Sequence, residues 1–255
     1  MELNTTPMIA IVAAVAAETV LLRQSLSHCE VRRCGTRELF LGSLFARKVA
    51  LLHSGIGKIN AASAVTALLE IIKPEVVIVI GCGGAYPNSG LAVGDLVLAS
   101  EEILADEGVV TTQGFVDFAT LGFPLLEQGG PIMEQRFSAD PQLLAAAQPL
   151  LTAAASADGA NLAVGPMVTV STCSGTDQAA QTMVQRTGGL CENMEGAAVA
   201  QICRLYEVPF LELRGISNRV ENRDLDRWNL PAAARIAQKA LMAFLRDRHT
   251  PQESA

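Results

Sequence analysis

Short, unbroken apolar runs stand at 9–13 (IAIVA) and 76–80 (VVIVI), and both read as buried strands, being rich in β-branched residues and too short for helices. After the first run, residues 14–17 turn toward a helix that begins near Glu18 and runs through Leu22 and Leu26. A strand pair at 39–44 and 48–53 leads into Ser54-Gly55-Ile56-Gly57-Lys58-Ile59-Asn60 and then a helix over 61–72. The second run is followed by Gly81-Cys82-Gly83-Gly84-Ala85, and another strand is expected at 94–99. Residues 101–135 read as irregular, rich in Gly, Phe and acidic residues, the composition of a lid, an oligomer contact or both. An alanine-rich packing helix over 141–155 precedes a strand at 163–170 that ends in the small polar turn 171–176.

The stretch 191–218 combines both periodicities. Apolar spacing predicts a helix over 194–205, the Glu207-Val208-Pro209 break ends it, and 210–214 alternates like a strand that finishes at Gly215-Ile216-Ser217-Asn218. A final amphipathic helix is expected over 231–248, with Asn229 as its N-cap. The succession of strands and helices without repeat or low-complexity linker indicates an α/β chain, and 255 residues, half of them hydrophobic, suffice for one domain spanning 1–255.

Charge and cysteine usage narrow the partners. A net charge of -7 without a long basic run argues against nucleic acid or an anionic membrane as partner and favours a small molecule. The longest apolar run, ten residues from Met8 to Ala17, is too short to span a bilayer, and the segment before it carries Glu2 but no Lys or Arg, so a signal peptide fits poorly. Cytoplasm is the expected compartment. Six cysteines form no C-x-x-C pair, so neither a disulfide framework nor a metal site is indicated; His28, Cys29 and Cys34 are the nearest approach to a metal cluster, without a second ligand pair.

Two kinds of position carry candidate chemistry. Glu195 is expected at a helix start, where the backbone dipole favours a carboxylate, and Asn218 just past a strand end, where open α/β sheets place ligands. Taken singly, each also fits a helix cap or a turn. Gly83 and Gly84 lack side chains at another strand end, so a ligand can lie against their backbone. The Gly55–Gly57 turn invites a dinucleotide or phosphate reading and fails both tests. Asn60 replaces the third glycine of G-x-G-x-x-G, no acidic residue ends the next strand, and the Walker spacing is missing. Tight helix-on-strand packing is the expected role there.

The ordered set AAVAAETVLL, HSGIGKINAA, IGCGGA, VGDLVLA, NMEGAAVAQIC and VPFLELRGISN resembles the nucleoside phosphorylase and nucleosidase superfamily, close to the methylthioadenosine/S-adenosylhomocysteine nucleosidases. TVSTCSGTD, ENMEGAA, and RGISN followed by Val220, Arg223, Asp224 and Trp228 resemble the futalosine hydrolases of the alternative menaquinone pathway. The resemblance implies a three-layer α/β/α sandwich around a mixed, partly barrel-like central sheet. It also implies a nucleoside substrate, no cofactor, and a homo-oligomer, a dimer or a multiple of it. By motif, Glu18 falls where nucleosidases keep a water-activating carboxylate. Met194 and Glu195 match the pair that packs on and hydrogen-bonds the ribose, and Ser217 is a further substrate-binding candidate. Asn218 stands where adenine-specific relatives carry a proton-donating Asp.

That departure shapes the expected chemistry. An amide donates hydrogen bonds but gives up no proton at neutral pH, so it suits N7 and O6 of a 6-oxopurine better than a 6-aminopurine, whose own NH2 would face it. The expected reaction is therefore hydrolysis of the purine–ribose bond of a 6-oxopurine nucleoside, futalosine first. Purine nucleoside phosphorylase and methylthioadenosine/S-adenosylhomocysteine nucleosidase stand as alternatives, and a non-catalytic nucleoside-binding protein as a third. The resemblance puts Glu18, Val79 and Cys82 at loop positions where phosphorylases hold phosphate, a poor anion site that favours water. Arg223 is the candidate for the carboxylate of futalosine; alternatively, Arg223 and Asp224 tie their loop to the last helix.

Overall fold

The computed structural model describes residues 7–127 and 132–247. Its strands are β1 (Met8–Ala13), β2 (Ser27–Cys34), β3 (Arg37–Leu44), β4 (Arg47–His53), β5 (Val76–Ala85), β6 (Leu96–Leu104), β7 (Gly108–Thr111), β8 (Gly114–Asp117), β9 (Arg136–Ser138), β10 (Leu162–Thr169), β11 (Cys191–Asn193) and β12 (Phe210–Arg219). The helices are α1 (Val20–Ser25), α2 (Lys58–Ile71), α3 (Phe118–Leu121), α4 (Pro141–Ala157), α5 (Asp177–Thr187), α6 (Gly196–Leu205) and α7 (Leu230–Asp247). Ten of the strands form one mixed sheet in the order β11-β10-β6-β12-β5-β1-β4-β3-β2, with β9 on β6, while β7 and β8 form a separate hairpin. Because β11 also pairs with β5, the strands β5, β12, β6, β10 and β11 close on themselves as a ring. Closure removes edges and gathers the strand ends around one mouth.

Alternation within β1 explains why its apolar run is unbroken. Ile9, Ile11 and Ala13 face a core shared with α4 and α7, whereas Ala10 and Val12 face one shared with α2 and α6. A strand covered on both faces by helices needs apolar residues at every position. The result is a three-layer α/β/α arrangement. Gly215 lies so close to the Ala233 backbone of α7 that no side chain would fit there, which lets β12 run directly beneath this helix.

Several boundaries differ from those read off the sequence. β5 does not stop at Ile80 but continues through the glycines to Ala85, since pairing with β12 and β11 supplies the hydrogen bonds. β12 likewise runs through Asn218 to Arg219, so Asn218 lies within the strand rather than past it. Glu18 sits in a 3-10 turn, Ala16–Thr19, ahead of α1. The segment expected to be irregular contains the end of β6, the β7–β8 hairpin and α3, whose Asp117 cap binds Thr120 N. The sequence pattern does not reveal β2; nearly every residue in it is exposed, which leaves no apolar signature. Asn229 Oδ1 accepts from Ala232 N at 3.1 Å, the expected cap of α7, and the predicted end of this helix at 248 lies outside the described residues.

Candidate functional site

A cavity of about 320 Å³ opens where β5, β11 and β12 end, and Glu18, Gly83, Gly84, Met194, Glu195, Ser217, Asn218 and Arg223 all line it. The sequence therefore located one place, although its residues come from four separated parts of the chain. Val79 is a correction: it is buried in β5 against the α2–α6 core and does not reach the cavity. Cys82 does line it, with its Sγ on Leu230 O. Burial beside Glu18 pushes the Cys82 thiol up to about 12, so it is no thiolate near neutrality.

Glu195 is the N-cap residue of α6, yet its side chain does not cap the helix. Asn193 Oδ1 accepts from Glu195 N and Gly196 N at 3.0 and 2.8 Å, and Thr169 Oγ1 accepts from Ala197 N at 2.7 Å. With these orphan N–H groups satisfied by neighbours, the Glu195 carboxylate is free to face the cavity. Its Oε1 accepts from Gly57 N at 2.9 Å, and its Oε2 from Arg214 Nη2 at 3.3 Å. Gly57, at φ 93°, thus has more than a packing role: its backbone conformation presents an N–H to the acid.

Glu18 is held by backbone N–H groups. Ala14 N and Val15 N donate to Oε2 at 3.1 and 3.2 Å, and Cys82 N donates to Oε1 at 2.9 Å. Gly81 makes room for the encounter of Glu18 with Arg214, because a Cβ there would stand 2.6 Å from Arg214 Nη1 and 2.7 Å from Glu18 Oε1. Arg214, only 2% exposed, is a group that sequence reasoning missed. Desolvation lowers its affinity for the proton, but Glu212, Glu195 and Glu18 outweigh that and hold the guanidinium charged.

The register of β12 against β5 slips between Ile216 and Asn218, so Ser217 is the extra residue of a bulge and Asn218 pairs with Gly84. Bulges re-aim side chains, here at the mouth of the ring. Ser217 Oγ donates to Asn218 Oδ1 at 2.7 Å, while Asn218 Nδ2 donates to Arg219 O at 3.1 Å. Arg219 O fixes which way the amide points, since a carbonyl must be met by the NH2; Ser217 Oγ, which also lies 3.2 Å from Gly83 O, has one hydrogen for its two acceptors. One amide hydrogen is left over. Across Gly84 from Asn218, in the same register, lies Glu192 of β11. Its carboxylate accepts from Ser174 N at 3.0 Å and Tyr86 Oη at 3.0 Å, and burial raises its pKa against those donors.

Arg223 stacks on Trp228, 4.8 Å from the ring centroid, and among the ion pairs of the described residues none involves it. Asp224 instead pairs with Arg227 and caps a short 3-10 turn, Leu225–Arg227. Trp228 precedes α7, so the stacking of Arg223 and the pairing of Asp224 both lie within the loop rather than between the loop and the last helix. His28 and Cys29 are exposed whereas Cys34 is buried, and no group of three His, Cys, Asp or Glu among the described residues could hold a metal ion.

The family model for the Phosphorylase superfamily matches residues 8–246, and the chain belongs to that superfamily. Among its relatives, the futalosine hydrolase of Thermus thermophilus is 36% identical over 194 residues, 76% of this chain and 80% of the relative. The 5'-methylthioadenosine/S-adenosylhomocysteine nucleosidase of Anoxybacillus flavithermus is 34% identical over 212 residues, 82% of this chain and 84% of the relative. Of solved structures, the 5'-methylthioadenosine/S-adenosylhomocysteine nucleosidase from Neisseria meningitidis in complex with methylthio-immucillin-A superposes with a TM-score of 0.81. It is 25% identical and covers 94% of this chain and 99% of that one. The fold is thus of the nucleoside phosphorylase type.

Proposed function

We propose that the protein is an N-ribosyl hydrolase acting on a 6-oxopurine nucleoside, with futalosine as substrate and hypoxanthine and dehypoxanthinyl futalosine as products. The observation that carries the choice of base is the fixed amide of Asn218. With Oδ1 turned to Ser217, the spare N–H of Nδ2 is what a purine edge meets. That single N–H can be shared between N7 and O6 of a 6-oxopurine, whereas the NH2 of a 6-aminopurine would face it with a second donor and leave a buried group unpaired, costing about 1–3 kcal/mol. Glu192 supports the same base. Neighbouring strands lie about 4.8 Å apart, so Asn218 and Glu192 flank the bare Gly84 backbone at roughly 10 Å, the width of a purine with a hydrogen bond on either side. The N1 of a 6-oxopurine carries a hydrogen that a carboxylate accepts, while the N1 of a 6-aminopurine presents a lone pair.

Breaking the N-ribosidic bond leaves cationic character on the sugar and negative charge on the purine. Glu195 keeps lone pairs beyond those used by Gly57 and Arg214, enough to accept from ribose hydroxyls and stabilise the cation. Glu18 and Arg214, brought together over Gly81, suit a water between them: Arg214 donates to its oxygen, Glu18 takes its proton, and the oxygen bonds to the anomeric carbon. The electron pair of the broken bond goes to the purine, which Asn218 stabilises by hydrogen bonding and solvent protonates. Phosphate fits poorly as the nucleophile, because the buried cation of the site, Arg214, is already shared among carboxylates.

The relative at 34% identity favours a second reading, cleavage of methylthioadenosine or S-adenosylhomocysteine. Turnover of futalosine, inosine and methylthioadenosine in phosphate-free buffer separates the readings. The proposal expects futalosine to have the highest kcat/KM, with free ribose-type product and no gain on adding phosphate. Faster cleavage of methylthioadenosine, or strict phosphate dependence with a ribose 1-phosphate product, overturns it.

A further inference from the structure

Behind the cavity, away from any nucleoside, β12 and β6 bring Glu212 and Glu102 together with no exposed surface at all. The two carboxyl groups meet under Gly196, at the start of α6, where even a methyl group would collide with Glu212 Oε2 and Glu102 Oε1. Arg214 Nε donates to Glu212 Oε1 at 2.6 Å. Glu102 accepts from Asn193 Nδ2 on Oε1 at 2.7 Å and from Thr169 Oγ1 on Oε2 at 2.6 Å. Glu212 Oε2 has no donor from any other group among the described residues. A buried carboxylate oxygen without a donor, beside a second carboxyl, is satisfied when one of the two carries a proton.

We propose that Glu102 and Glu212 share one proton, and that this acid–carboxylate pair is the positioning device that holds Arg214 toward Glu195 and Glu18. The proton rests on Glu102, since Arg214 contacts Glu212 and favours the charge there. The charges agree with this arrangement. Glu18, Glu102, Glu195 and Glu212 would place four negative charges around one guanidinium, and a neutral Glu102 removes one of them. Other titratable groups facing the pair are the buried Cys191 thiol, which burial keeps protonated, and Glu192 beyond it. Asn193 and Thr169, which cap α6, also hold Glu102, so the same network fixes the helix start that carries Glu195. The inference rests on the reading of Arg214 as the group that orients water.

The test compares Glu102→Gln with Glu212→Gln on whichever nucleoside the wild type cleaves best. A Gln at 102 donates its N–H to Glu212 as the acid does but gives up the bond from Asn193 Nδ2, so kcat should stay within about threefold, whereas Glu212→Gln removes the charge that anchors Arg214 and should lower kcat about tenfold or more with KM within about threefold. Infrared spectra read the proton directly and independently of turnover. A buried carboxylic acid C=O band that shifts in D2O should be present in the wild type at neutral pH and absent in Glu102→Gln. A protected arginine Nε–H resonance should persist in Glu102→Gln and vanish in Glu212→Gln. Failure of every nucleoside to turn over would count against the proposed reaction, while these two spectra would still decide the pair. A missing acid band, an unchanged one in Glu102→Gln, or equal loss of kcat in both variants overturns the proposal. Should Glu212→Gln not fold, a tenfold loss of kcat in Glu102→Gln alone does so.

Discussion

Arg223 is the residue through which substrate length can be read. Its guanidinium lies over Trp228 at the cavity wall, held flat by the ring and bound to no carboxylate of the described residues, which suits a planar anion arriving from outside. Futalosine, the proposed substrate, carries a carboxylate at its far end, whereas inosine has the same base and ribose without it. Replacing Arg223 with Gln should therefore lower kcat/KM for futalosine by about 10- to 100-fold, the worth of a charge-assisted bidentate contact, and leave inosine within about twofold. Steady-state kinetics on both substrates check this. Equal losses, or a fall in melting temperature alone, would show that the arginine serves its loop.

Among the elements, β5 decides how close Arg214 and Glu18, the groups proposed to handle water, approach each other. Gly81→Ala inserts a methyl between Arg214 Nη1 and Glu18 Oε1, both of which are side-chain ends and must move apart. The strand should survive at a cost of about 1–3 kcal/mol, while kcat falls at least about tenfold because the water site is spread. Wild-type kcat in a variant with lowered stability would detach Arg214 and Glu18 from the reaction. The glycines of β5 also show what was and was not legible in the sequence. The helix after Glu195 and the strand leading to Asn218 could be read because their periodicities are strong, and family-like motifs pointed to Glu18. The continuation of β5 through Gly81–Ala85 could not, since glycine normally weakens a strand and only pairing with β11 and β12 restores it. Arg214, Glu212 and Glu192 were hidden for a related reason. Charged residues at 212 and 214, alternating with Leu211 and Leu213, look like a solvated strand face, and ring closure turns that face inward. The available signal was that Leu211 and Leu213 alternate with opposite charges, a pattern that also fits a paired, buried strip.

On the scale of the whole molecule, the buried acids tie stability to pH. Burial, with Glu212 close by, raises Glu102 well above the ordinary carboxyl value of 4.5. In the window between 4.5 and that raised value, the folded protein keeps a proton that the unfolded chain has released. Fewer protons are then bound in the unfolded state, so this group's contribution to stability falls as pH rises through the window and stays constant below it. Glu102→Gln removes this titration from both states, and Glu212, between Arg214 and the amide N–H introduced at position 102, has no second carboxyl to share a proton with. The unfolding free energy of Glu102→Gln relative to wild type should therefore climb by up to about 1.4 kcal/mol per pH unit above the ordinary carboxyl range. Other titrating groups, Glu192 included, are common to both proteins and cancel in the difference. Urea denaturation of the two proteins at about pH 5 and about pH 7, both above the ordinary carboxyl range, measures it. A difference that stays constant between these pH values would mean that Glu102 is ionised in the fold, and the anchoring of Arg214 would then need another source.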